Sequence, residues 1–224
     1  ILFLGDVVGK AGRKAIADHL PAFKEKENVS FVICNAENAA GGFGITGKVV
    51  QELYDAGVDV ITLGNHTWDK PETPDMLTND WKILRPINYP PGTVGEGFRV
   101  YPTKDGKKVG VINVMGRLFM ENGLDCPFQA SRKLMRDIRV GEGCDALVVD
   151  VHAEAASEKA CLAYVWDGKA SLVTGSHTHV PTADARIFKG GTGYQTDAGM
   201  CGDYNSSLGM DFEPALARFA KKGK

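Results

Sequence analysis

The chain has 224 residues, 43% hydrophobic and 24% charged, an ordinary globular composition that excludes a disordered or fibrous protein. Its 26 Lys and Arg against 28 Asp and Glu leave a formal net charge of -2, which excludes nucleic-acid binding through bulk positive charge. The five cysteines (34, 126, 144, 161 and 201) are odd in number and lack C-x-x-C spacing, against a zinc ribbon or disulfide framework and in favour of free thiols in a reducing cytoplasm. No run approaches the ~18 apolar residues of a membrane span, and no basic-then-apolar leader opens the sequence, so a cytoplasmic location and no membrane partner are expected.

Taken in chain order, Ile1–Leu4 is apolar and runs into Gly5-Asp6. Ile16, Leu20 and Phe23 share one face of a helix expected after Gly12. Val29–Cys34 runs into Asn35-Ala36-Glu37-Asn38, and Lys48–Ala56 is expected to be a helix closed by Gly57. Val58–Leu63 runs into Gly64-Asn65-His66. Arg99–Tyr101 and Val109–Val114 flank an Asp105-Gly106 hairpin signal. Leu134 and Ile138, four apart, suggest a helix over Ser131–Val140. Ala146–Val149 leads to His152, and Ala170–Thr174 leads to Gly175-Ser176-His177-Thr178-His179. Near-continuous apolar runs suit strands covered on both faces, and their alternation with helices predicts an α/β sandwich built as one domain over 1–224.

Ligands of α/β folds gather at the C-terminal ends of strands. Here those ends carry Asp6, Glu37, Asn38, Asn65, His66, His152, His177 and His179. Any one alone has a blander explanation: an Asp after a strand caps a turn, and a lone His is commonly a satisfied core residue. Carboxylate, amide and imidazole groups together suit first-row cations such as iron, manganese or zinc. Two such ions can hold a hydroxide and clamp a phosphoryl group for in-line displacement. His177 and His179, two apart, would point the same way from extended backbone. His19 falls in a helical pattern and is read as a surface residue.

Taken in order, Gly5-Asp6, Asn35-Ala36-Glu37-Asn38, Gly64-Asn65-His66, His152 and Gly175-Ser176-His177-Thr178-His179 resemble the motifs of the calcineurin-like metallophosphoesterases. Gly5-Asp6-Val7-Val8-Gly9, Gly64-Asn65-His66-Thr67-Trp68-Asp69, His152-Ala153-Glu154 with Ser157-Glu158-Lys159, and His177-Thr178-His179-Val180 are similar to the YmdB-like branch, which resembles 2′,3′-cyclic-nucleotide phosphodiesterases. The resemblance runs from Ile1 to about Met210. It implies an αββα sandwich with a dinuclear site at the strand ends. Asp6 and His179 would bind the first metal. Asn65, His152 and His177 would bind the second, and Glu37 would bridge. His66 would be the catalytic histidine that protonates the leaving oxygen, with Asp69 orienting it. Asn38 would contact a metal or the phosphate. Two positions depart from the superfamily pattern: Val8 stands where a His is usual, and Glu37 where a bridging Asp is usual. Both departures match the YmdB-like branch.

The resemblance further implies two transition-metal ions per chain, iron before manganese. It points to a small phosphodiester or nucleotide substrate such as 2′,3′-cAMP, with RNA ends as a further class, and allows a homo-oligomer. The competing reading is a non-catalytic nucleotide- or RNA-binding regulatory protein on the same fold. Gly42-Phe43-Gly44-Ile45-Thr46-Gly47 matches G-x-G-x-x-G, but Asn35–Ala40 separate it from the strand, so it reads as a loop beside the site rather than a cofactor fingerprint. Trp68 is either a base-stacking platform or a core residue.

Overall fold

The computed structural model describes residues 1–120 and 123–221. A four-stranded, wholly parallel sheet takes Leu2–Leu4, Val32–Asn35, Val60–Thr62 and Ile83–Leu84 in that spatial order. A six-stranded sheet is ordered Arg186–Ile187, Gly193–Gln195, Leu172–Ser176, Ala146–His152, Lys108–Met115 and Phe98–Pro102. Its inner strands are parallel, while each edge strand runs antiparallel to its neighbour. The edge strand at Phe98 is the expected hairpin partner, turning through Asp105-Gly106 with Gly106 at φ +80°.

Three apolar clusters account for the layering. Ile16 and Leu20 of the helix Gly9–Lys26, with Val49, Val50 and Leu53 of the helix Gly47–Asp55, pack on Val32, Cys34 and Ile61 of the first sheet. Phe31, Ile33, Val60 and Leu84 meet Tyr101, Val109, Val111 and Val148 between the two sheets. Leu162, Ala163 and Trp166 of the helix Ala156–Trp166 cover Ile112, Val149 and Val173 on the far side of the second sheet. The order is therefore helix, sheet, sheet, helix, in a mixed α/β fold. Both sheets are covered on both faces, which is why their strands read as unbroken apolar runs.

A short parallel pair, Asp6–Val7 with Met200–Cys201, ties the C-terminal part of the chain to the first strand end. The five cysteines are all free. No helix among the described residues is long and apolar enough to cross a membrane.

Some local expectations need correction. The helix expected over Ser131–Val140 is Pro127–Leu134, opened by Pro127 in its first turn. Arg139–Val140 instead pairs with Gly143–Cys144 around Gly141 and Gly143, both at positive φ. Ile138 is still buried, so the Leu134/Ile138 spacing reported burial and not helix. The first helix starts at Gly9 rather than after Gly12, and Phe23 on it is exposed. The helices Thr73–Asn79, Ala156–Trp166 and Phe212–Ala220 have no counterpart among the elements expected from sequence. Ala156–Trp166 is apolar on several faces and buries Lys159, so it lacks a one-sided stripe.

Candidate metal centre

The predicted ligands lie at or just past strand ends, and the two sheets bring those ends together. His152 closes Ala146–His152 and is fully buried. Its Nε2 lies 3.0 Å from Glu37 Oε1, 2.9 Å from Asn65 Oδ1 and 3.2 Å from His177 Nδ1. The donor atoms of Glu37, His152 and His177 all fall within 4.8 Å of one another. A second set adjoins it: His179 Nε2 is 3.9 Å from Asp6 Oδ1 and 3.4 Å from Asn38 Oδ1. The Asn38 amide nitrogen is engaged by the Gly42 carbonyl at 3.0 Å, which leaves its oxygen to face His179. Asp6 accepts the His177 backbone N–H at 3.0 Å.

These contacts can be tested as a cation site. One ring nitrogen can offer at most one hydrogen, yet three acceptor-capable atoms crowd His152 Nε2. A single proton leaves the other lone pairs aimed at one another, whereas a cation at their centre satisfies all of them. The charges agree. Burial alone would lower the His152 imidazole, but the Glu37 carboxylate overrides it and raises it to about 9. Burial, then His152 beside it, lowers His177 to about 3. Burial raises Asp6 to about 6 against the pull of His152 and His179. The metal-free cluster thus keeps a proton where a metal would displace it. The donor set fits a divalent first-row ion, with no thiolate among its members.

Local backbone explains how the histidines reach the site. His177 and His179 sit at φ +97° and +66°, in the left-handed region, so the extended-backbone reasoning for this pair is wrong. Their rings face the two neighbouring donor sets, His177 beside His152 and His179 beside Asp6 and Asn38. Non-glycine residues held there are costly and cluster at functional sites. The loop is fixed by Asp197, whose Oδ2 accepts Thr178 N–H and Oγ1–H at 3.3 and 2.8 Å and pairs with Lys159 at 2.6 Å. His179 Nδ1 donates to the Leu208 carbonyl at 2.9 Å, which leaves Nε2 to face Asp6 and Asn38. Gly64 is required by close approach: a Cβ there would lie 2.3 Å from His152 Nε2 and 2.5 Å from Glu37 Oε2.

His66 donates its backbone N–H to Glu37 Oε2 at 2.8 Å, and its Nδ1 lies 2.7 Å from Asp69 Oδ2. Its ring borders a cavity of about 900 Å³ together with Glu37, Asn38, His177 and His179. Phe43 of the glycine-rich loop meets the His66 ring edge-on at 5.0 Å and lines the same cavity. Gly47 opens a helix capped by Thr46. Trp68 packs into the first core and against Tyr89, and is absent from the cavity lining, so the core reading holds for it. Val8, in place of a histidine, is a buried residue of the cavity wall.

Sequence reasoning gave no role to several residues near the cluster. Glu154 Oε2 stands 3.3 Å from His177 Nε2. Asp150, Asn35, Thr62 and Ser176 form a fully buried polar group behind His152. Burial raises the Asp150 carboxyl, while His152 and the three donors facing it oppose that rise. The available signal was a carboxylate inside an apolar strand, two residues before His152 and so on the same face.

Residues 2–224 match the model of the YmdB-like protein family. A 2′,3′-cyclic-nucleotide 2′-phosphodiesterase of Bacillus subtilis is 46% identical over 219 residues, spanning 98% of this chain and 81% of that protein. Among solved structures, a hypothetical protein from Thermus thermophilus aligns at TM-score 0.92 and 44% identity, over 100% of this chain and 85% of its own. A novel phosphatase from Mycoplasma pneumoniae aligns at TM-score 0.87 and 36% identity, over 99% and 79%.

Proposed function

Because the chain belongs to the YmdB-like protein family, we propose that it is a metal-dependent hydrolase of phosphodiester bonds, acting on 2′,3′-cyclic nucleotides, and folded as one metallophosphoesterase domain. The observation that carries this is the crowding of Glu37, Asn65 and His177 on His152 Nε2, which calls for a cation.

In this reading Asn65, His152 and His177 would hold one ion, Asp6, His179 and Asn38 would hold the other, and Glu37 would serve both. Two bound ions supply a lowered pKa for a water nucleophile and neutralise charge on the phosphoryl oxygens. Iron is the preferred metal and manganese the second. The chain's own groups do the rest. Glu37 and Asn38 line the cavity floor, and the His66 N–H keeps Glu37 Oε2 in place. Asp69 holds His66 by Nδ1 and leaves Nε2 to carry a proton to the departing ribose oxygen. Phe43, 41% exposed beside His66, offers an apolar surface to the nucleoside. Bound ions would supply positive charge locally, which a chain of net charge -2 does not do in bulk.

The test is hydrolysis of 2′,3′-cAMP by metal-loaded protein, wild type against His66→Ala. General acid catalysis contributes about 10²–10⁴-fold. The variant is expected to retain its metal and lose turnover by that order. Metal-loaded wild type without phosphodiesterase activity would refute the proposal and favour a binding protein on the same fold.

A further inference from the structure

We propose that Asp150 is a positioning residue for His152: acting through the Ser176 hydroxyl, it fixes the imidazole in its Nδ1–H form and turns the Nε2 lone pair into the Glu37/Asn65/His177 cluster. The inference rests on reading that cluster as a metal centre, and it assigns a part to buried groups that contact neither the cavity nor a substrate.

Ser176 Oγ lies 2.6 Å from Asp150 Oδ1 and 2.9 Å from His152 Nδ1, and it has one hydrogen to give. A carboxylate only accepts, and hydrogen bonds to it are the shorter and stronger kind. The hydroxyl hydrogen therefore goes to Asp150, and the Ser176 oxygen must accept from Nδ1–H. Asp150 Oδ2 is occupied by Thr62 Oγ1–H at 2.6 Å and Asn35 Nδ2–H at 3.1 Å, so three donors hold the carboxylate as a pure acceptor. Asn35 Nδ2 is also 3.3 Å from both His152 Nδ1 and Ser176 Oγ, but with one hydrogen on Asp150 its second has the Leu63 carbonyl at 3.3 Å. A bond to Ser176 Oγ would still leave that oxygen a lone pair for Nδ1–H.

No solvent can rearrange this chain of bonds. Asp150, Ser176, His152, Thr62 and Asn35 are all fully buried. The fold sets the spacing. His152 and Ser176 are opposite partners on adjacent parallel strands, and Asp150 precedes His152 by two residues on the same strand face. A ligating imidazole characteristically has its other nitrogen held by a carboxylate, carbonyl or water; here a hydroxyl relays the carboxylate to it.

A structural role alone would also explain a satisfied buried carboxylate, so the test needs a control on the same carboxylate. Thr62→Val removes a 2.6 Å bond to Asp150 that lies off the path to His152. Zinc is the probe, with affinity measured by chelator competition and the His152 ring nitrogens read by NMR. In zinc-loaded wild type, Nδ1 is expected to carry the proton and Nε2 none. Asp150→Asn presents amide hydrogens to Ser176 and frees its hydroxyl to donate to Nδ1. Zinc affinity should then fall about 10–100-fold. Ser176→Ala should move affinity the same way and decides the matter if Asp150→Asn does not fold. Thr62→Val should lower the melting temperature while zinc affinity and tautomer stay as in wild type. An Nε2–H in the zinc-loaded wild type overturns the proposal. So does unchanged affinity in Asp150→Asn or Ser176→Ala, or a loss in Thr62→Val as large as in Ser176→Ala. If wild type binds neither zinc, manganese nor iron, the metal-centre reading fails. The relay then stands or falls on the Nδ1–H signal in metal-free protein with a neutral ring.

Discussion

Lys159 Nζ and Asp197 Oδ2 meet at 2.6 Å with both side chains withdrawn from solvent, one on the helix Ala156–Trp166 and the other on the segment after Gly193–Gln195. Asp197 also holds Thr178, between the two histidines at left-handed φ, and accepts the Gly199 N–H at 2.8 Å. Removing one member of a buried pair leaves the other charge uncompensated and costs about 3–5 kcal/mol. Asp197→Ala should therefore lower unfolding stability by that order in urea titration and weaken metal retention through the loosened histidine loop. A loss within the ~0–1 kcal/mol of an exposed pair would contradict this.

Gly64→Ala tests how tightly the cluster is built. The new methyl would overlap His152 Nε2 and Glu37 Oε2. Overpacking costs about 1–3 kcal/mol, so the variant should fold with an ordinary circular dichroism spectrum but lose metal, as read by elemental analysis. Wild-type metal content in this variant would mean that the ligands do not occupy the positions described.

Asp69→Asn separates the orientation of His66 from its charge. The amide oxygen can still accept from Nδ1, but the carboxylate charge beside the ring is gone. Turnover is expected to fall less than in His66→Ala, with metal content unchanged and KM for 2′,3′-cAMP near the wild-type value. A loss equal to that of His66→Ala would make Asp69 as necessary as the histidine itself.

Metal removal should destabilise the protein as well as inactivate it. A ligand that binds only the folded state at 100 times its dissociation constant adds about 2.7 kcal/mol. Chelation should lower the melting temperature accordingly, and manganese or ferrous iron should restore it. His152→Ala should abolish that metal-dependent shift, because Glu37, Asn65 and His177 converge on its Nε2.

Much of the site was legible because its residues are few and sit where apolar strands stop. A run that must be buried on both faces ends abruptly in Asp, Glu, Asn or His only for a reason, and Asp6, Glu37, Asn65 and His152 stand at such ends. The second helix and the Asp105-Gly106 hairpin were legible from local chemistry, a capping glycine and a turn glycine at positive φ. The helix Ala156–Trp166 was hidden because its buried face, Lys159, Leu162, Ala163 and Trp166, includes a lysine while apolar Tyr164 stands exposed, so hydrophobicity does not follow the one-sided burial. Leu134 and Ile138 misled because apolar spacing records burial, and Ile138 is buried from a short strand and turn.

The sequence by itself determined the donor types, their order and the mixed α/β architecture, since all three follow from residue chemistry and local periodicity. Only the tertiary structure decided which nitrogen of each histidine faces the cluster. That choice belongs to partners far away in the chain: Ser176 for His152, the Leu208 carbonyl for His179, and Asp197 with Lys159 for the loop that carries His177 and His179. Hydrogen bonds of this kind depend on distances of a few ångströms between separate strands, which no local pattern in the chain encodes.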